Sequence, residues 1–126
     1  KIGILPATIS PYVIAAIGQR AARRYFMTAE RFTAATALQL GLLSQVVDED
    51  NLDQAVNQLA ECLLANSPAA VAAAKQLVFE VADRPVDDLL IGQTSEAIAR
   101  IRVSKEGQEG LSAFLEKRAP AWVDNR

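Results

Sequence analysis

The sequence predicts a mostly helical chain with one or two short strands, a portion of an α/β fold rather than a complete one. Three observations carry that prediction. The 126 residues are 51% apolar and rich in Ala. Apolar positions return at helical spacing over most of the chain, and only residues 1–5 (KIGIL) and 42–47 (LLSQVV) read as strands. A strand must pair its backbone N–H and C=O groups, and these two segments are each other's sole candidates. The local pattern therefore points to a sheet outside this sequence.

Taken in order, Ile2, Ile4 and Leu5 surround a Gly and are stopped by Pro6. Ser10-Pro11 is a helix start, a hydroxyl N-cap followed by Pro at the first helical position. That helix carries Val13, Ile14 and Ile17, Gly18 interrupts it, and a second runs from about Gln19 to Met27. Thr33 caps a short helix that stops at Gly41. The next starts at Asp50 or Asn51, with Leu52, Val56, Leu59 and Leu63 on one face and Ala55 and Cys62 beside them. Asn66-Ser67-Pro68 ends it and starts another, whose stripe is Val71, Ala74, Val78 and Val81. Asp83-Arg84-Pro85 is a turn before a long helix bearing Leu90, Thr94, Ala97, Ile98 and Ile101. Ser104 caps the last helix, which runs to about Lys117 ahead of Pro120 and Trp122.

Composition narrows the chemistry. With no His, imidazole cannot act in this chain as base, shuttle or metal ligand. One Cys excludes an internal disulfide and a Cys-based zinc site, so no metal is expected. Fifteen acidic against 13 basic residues argue against a nucleic-acid surface, which needs a clustered basic face. No apolar run reaches the roughly 18 to 20 residues of a membrane helix, so no membrane partner is expected. The short apolar start before Pro6 does not suit a signal peptide.

Several stretches resemble a known family: IGILPA, TAERFTAATALQLGLLSQVV, NSPAAVAAAKQLV and EGQEGLSAFLEKRAPAW, in that order. The most specific pieces are Ala34-x-x-Ala37-x-x-x-Gly41-Leu42 and Glu109-Gly110-x-x-Ala113-Phe114-x-Glu116-Lys117-Arg118. Together they are similar to the C-terminal half of the crotonase (enoyl-CoA hydratase/isomerase) superfamily. Pro6-Ala7-x-Ile9-Ser10-Pro11 further resembles bacterial members of the methylglutaconyl-CoA hydratase type. The resemblance implies a crotonase-type α/β spiral. Residues 1–17 would form the end of the spiral core and a pocket loop, and residues 18–126 a helical trimerisation region. It also implies an enzyme that adds water to, or moves, the double bond of an acyl-CoA thioester. Two carboxylates would serve as acid and base and two backbone N–H groups as an oxyanion hole. Those groups fall upstream of Lys1 in the family pattern, so no catalytic residue is expected in this chain. Coenzyme A is expected as part of the substrate, with no permanently bound cofactor. A homotrimer or dimer of trimers in the cytoplasm is the implied assembly and location.

The candidate site residues divide into two groups. Pro6, Ala7, Thr8 and Ile9 follow the first strand and are expected to line the acyl pocket; many relatives are Gly-rich here, so this pocket is expected to be reshaped. Phe114 and Lys117, three apart and so predicted to share a helix face, match family positions that hold the adenine and a phosphate of coenzyme A. An aromatic ring can cover a purine, and an ammonium suits a phosphate. Arg20, Arg23 and Arg24 are expected to make surface ion pairs. The acids from Asp48 to Asp53 are expected to be caps or dipole partners. Cys62 is expected to be packing, and Trp122 to clamp the tail. Two other readings stay open: a non-catalytic helical oligomerisation module, and a relative that has lost its carboxylates.

Overall fold

The computed structural model describes residues 3–124. They divide into two compact units that part between Leu52 and Asp53.

In the first unit, helix α1 (Ser10–Thr28) is bent at Gly18, whose φ of 73° and ψ of 161° interrupt it as the sequence predicts. Glycine takes that conformation without the clash a Cβ would bring. Ser10 corrects the predicted cap. It is already helical, and its hydroxyl donates to the Ala7 carbonyl at 2.8 Å instead of accepting from the helix. The second arm of α1 buries Ala22 and ends at Ala29 in the left-handed region. Tyr25, in the last turns of α1, and Phe32, beyond its end, lie 4.6 Å apart between ring centroids. Helix α2 (Ala34–Gln39) is capped by Thr33, which accepts from the Thr36 N–H at 3.2 Å. Gly41, at φ 79°, then lets Leu42 N–H reach back to the Ala37 carbonyl at 2.9 Å.

Neither predicted strand is present among the described residues. Gly3 is a bend, Ile4 and Leu5 are irregular, and Ile2 lies outside the described residues. Residues 42–47 are irregular too. Their β-branched and apolar side chains favour a ladder, but the two segments do not pair with each other, and a ladder needs a partner.

A 3-10 turn (Glu49–Asn51) leads into α3 (Leu52–Leu64). Glu49, Asp50 and Asp53 fall in first turns, where the positive end of a helix dipole favours carboxylates. In the second unit, Ser67 accepts from the Ala70 N–H at 3.1 Å and opens α4 (Pro68–Val81), with Pro68 at its first position. Asp83 turns the chain in the left-handed region. Asp87 caps α5 (Asp88–Val103), whose Leu90 is buried. Ser104 accepts from the Gly107 N–H at 3.0 Å and opens α6 (Lys105–Glu116). Helix α6 packs against α5 and α4 and buries Ala113. A final turn, α7 (Ala121–Asp124), carries Trp122.

Cys62 also departs from expectation. It is exposed, because the apolar side of α3 has no cover among the described residues. Leu52, Val56, Leu59 and Leu63 are all between 54% and 60% exposed. The stripe forms as the periodicity predicts, but it is not buried.

Candidate functional site

The loop of Pro6, Ala7, Thr8 and Ile9 belongs to the first unit, and Phe114 and Lys117 belong to the second. In the loop, Ser10 N–H donates to the Pro6 carbonyl at 3.0 Å, so residues 7–9 form a closed turn that feeds α1. Pro6 is half-buried, while Ala7, Thr8 and Ile9 present their side chains to the surface. The Ser10 hydroxyl is engaged by the Ala7 backbone carbonyl.

At the end of α6 the geometry is more specific. Ala113 is 2% exposed and faces inward, whereas Phe114 is 80% exposed and faces out. The helix stops at Glu116, and Lys117 adopts φ 54°, ψ 40°. This corrects the expectation that Phe114 and Lys117 share a helix face: Lys117 has left the helix. The two remain linked through the main chain, where the Lys117 N–H donates to the Phe114 carbonyl at 3.3 Å. Arg118 N–H reaches the Ala113 carbonyl at 3.0 Å, which closes a C-terminal cap that glycine usually supplies. The Lys117 ammonium has no hydrogen-bond or ion-pair partner among the described residues.

What holds this turn is a cluster whose roles the sequence pattern did not disclose. Arg118 donates to both carboxylate oxygens of Glu109, at 2.6 and 3.0 Å, and to Glu116 at 2.7 Å. Glu109 also accepts the Ala121 N–H at 2.9 Å. Hydrogen bonds from Arg118, then from Ala121, hold the Glu109 carboxyl at about 2, and the same pairing raises Arg118 further above its ordinary value. Gly110 lies under the Trp122 ring: a Cβ there would sit 3.0 Å from the indole. The indole N–H donates to the Ala65 carbonyl at 3.1 Å, so Trp122 does clamp the tail. Glu109, Gly110 and Arg118 were all in the quoted pattern; their nine-residue spacing was the available signal.

Elsewhere, Arg24 pairs with Glu30 and lies over the Tyr25 ring at 5.6 Å. That hydrogen bond lowers the Glu30 carboxyl and raises Arg24. Arg20 and Arg23 are exposed on the same helix. An open groove of about 390 Å³ runs between α4 and α5, floored by Ala70, Ala73, Ala74, Leu77 and Ala97. It contains none of the predicted site residues.

An inward Ala, an outward Phe and a cationic left-handed cap locked by Glu109 and Arg118 account for the whole C-terminal pattern read from the sequence. The family model described as enoyl-CoA hydratase/isomerase matches residues 1–125, and the chain belongs to that family. A solved putative enoyl-CoA hydratase/isomerase (crotonase) from Legionella pneumophila is 46% identical. It superposes with a TM-score of 0.92 over 96% of this chain and 47% of that one. An enoyl-CoA hydratase from Shewanella pealeana is 52% identical, with a TM-score of 0.88 over 96% of this chain and 45% of that one. The mitochondrial enoyl-CoA hydratase domain-containing protein 3 of Xenopus laevis is 31% identical over 98% of this chain and 42% of its own length. The chain thus spans less than half the length of these relatives, and its mostly helical fold is that of their crotonase neighbours.

Proposed function

We propose that this chain contributes to an enzyme that adds water to, or removes it from, a 2-enoyl-CoA, with a 3-methyl-branched acyl group such as that of methylglutaconyl-CoA. The observation that carries the reading is the pairing, at one helix end, of the exposed Phe114 ring with Lys117, whose ammonium has no partner among the described residues, at positions that the resemblance assigns to gripping coenzyme A. Phe114 offers a flat apolar face for the adenine, and Lys117 a point charge for a phosphate. Coenzyme A enters as part of the substrate and no resident cofactor is required. Pro6, Ala7, Thr8 and Ile9 line the acyl pocket, and their side chains, where many relatives have Gly, reshape it. Proton transfer next to the thioester carbonyl needs an acid, a base and an oxyanion hole, which the resemblance assigns upstream of Lys1. Residues 1–17 complete the spiral core and residues 18–126 form the assembly region of a cytoplasmic trimer or dimer of trimers.

In the whole protein, Lys117→Ala is expected to raise KM for an enoyl-CoA about fivefold, as loss of an exposed ion pair would. The turnover number should hardly move, because a remote phosphate contact adds uniform binding. An unchanged KM removes Lys117 from the site. The 126 residues alone are expected to hydrate no enoyl-CoA. A second reading, a non-catalytic helical oligomerisation module, is favoured by one observation, the exposed stripe on α3. Wild-type chain that self-associates but does not bind coenzyme A would select it.

A further inference from the structure

Lys117 sits in a conformation that a non-glycine residue seldom adopts without support from its surroundings. Its two chain neighbours are both tethered, Glu116 and Arg118 to each other, and Arg118 also to Glu109. The Ala121 N–H, bonded to Glu109, fixes the chain on the far side of the turn. We propose that Glu109 and Arg118 are positioning residues for Lys117, and that their bridge pins the left-handed turn and leaves the Lys117 ammonium open to a phosphate group of coenzyme A. This rests on the coenzyme A reading of Lys117 above.

Two physical arguments support the assignment. The first is geometric. A left-handed residue at a helix end swings its side chain off the helical course, so the ammonium's direction depends on what holds φ and ψ there. Arg118 supplies that hold with a planar fork that grips both Glu109 oxygens, which a lysine could not reproduce. The second is electrostatic. Glu116 and Glu109 are the two carboxylates that most nearly precede Lys117 in the chain, and either could capture an ammonium. Arg118 engages both, so the cation of the turn stays without a partner for an incoming anion.

The test has two readouts on this chain and its variants. The first needs no ligand: the Cα and Cβ chemical shifts of Lys117 report its backbone conformation. Glu109→Gln is expected to move them from left-handed toward extended values, and Arg118→Lys to move them partway. Unchanged shifts in Glu109→Gln overturn the proposal. The second is coenzyme A affinity by calorimetric titration. Lys117→Ala and Glu109→Gln are each expected to weaken binding about fivefold, with no further loss in the double variant. Full additivity would make Glu109 merely a structural support and overturn the assignment. If Lys117→Ala weakens binding and Glu109→Gln does not, the positioning role fails while the coenzyme A reading stands. If Lys117→Ala has no effect, the coenzyme A reading fails and takes the proposal with it.

Discussion

Glu109 accepts from two nitrogens of Arg118 and from the Ala121 N–H, and each of these bonds favours the carboxylate over the acid. Its pKa accordingly falls from 4.5 to about 2. A carboxyl depressed in the folded state binds fewer protons there than in the unfolded chain. Its contribution to stability is therefore full above the unfolded value and fades as pH falls toward the folded one. The expected outcome is a melting difference between wild type and Glu109→Gln that is constant near neutrality. It should shrink below pH 4.5 and vanish near pH 2, the window set by the shift itself. Thermal melts across that range check it; a gap that persists at the acid end would mean that the charge on Glu109 is not what holds the tail. Glu106 shows the same logic more weakly. Its carboxyl is lowered by the Ser67 hydroxyl and then by the Ala69 N–H, so it too loses its grip only in acid.

The helix ends show how local geometry decides what a sequence discloses. Ser67, Thr33 and Ser104 each accept from an N–H three residues on, and Gly18 and Gly41 each take a positive φ. These contacts close within a few residues, so they were legible. The strands at residues 1–5 and 42–47 were not decidable that way, because a ladder depends on a partner that the letters do not name. The cap at Ser10 misled because its hydroxyl had a closer carbonyl, Ala7, to donate to. At the site, Phe114 and Lys117 were found by pattern, but the left-handed turn was not, because glycine usually marks such a cap and the pairing that tethers its flank spans nine residues. Glu106 was invisible for the same reason: it reaches Ser67 across 39 positions. That reach gives a prediction. Ser67→Ala removes the cap of α4 and is expected to cost about 1 kcal/mol of stability. Ser67→Asp, normally an equally good cap, should not restore it, since it sets a carboxylate against Glu106. Chemical denaturation of both variants measures the difference, and full rescue by Asp would detach Glu106 from α4.

Across the whole chain, the buried hydrophobic residues among those described are Ala22, Ala37, Leu90 and Ala113, three of them too small to contribute much transfer free energy. Large side chains instead stay in contact with solvent, and on α3 they do so in register, as Leu52, Val56, Leu59 and Leu63. A helix with one apolar stripe and a polar opposite face gains stability by laying that stripe on another surface. Large contiguous exposed apolar patches commonly mark association surfaces. The opposite face of α3 carries Asp53, Asn57 and Glu61, so water is already provided for there. The purified chain is therefore expected to self-associate in a concentration-dependent way, each leucine withdrawn from water contributing about 1.5 to 3 kcal/mol. Leu59→Glu places a charge in the middle of the stripe and should shift the chain to monomer. Asn57→Glu, on the polar side, should leave the assembly unchanged. Sedimentation velocity over a range of concentrations, with circular dichroism to confirm that helix content is kept, separates the two. If Leu59→Glu sediments as the wild type does, the α3 stripe is not the surface through which copies of this chain meet.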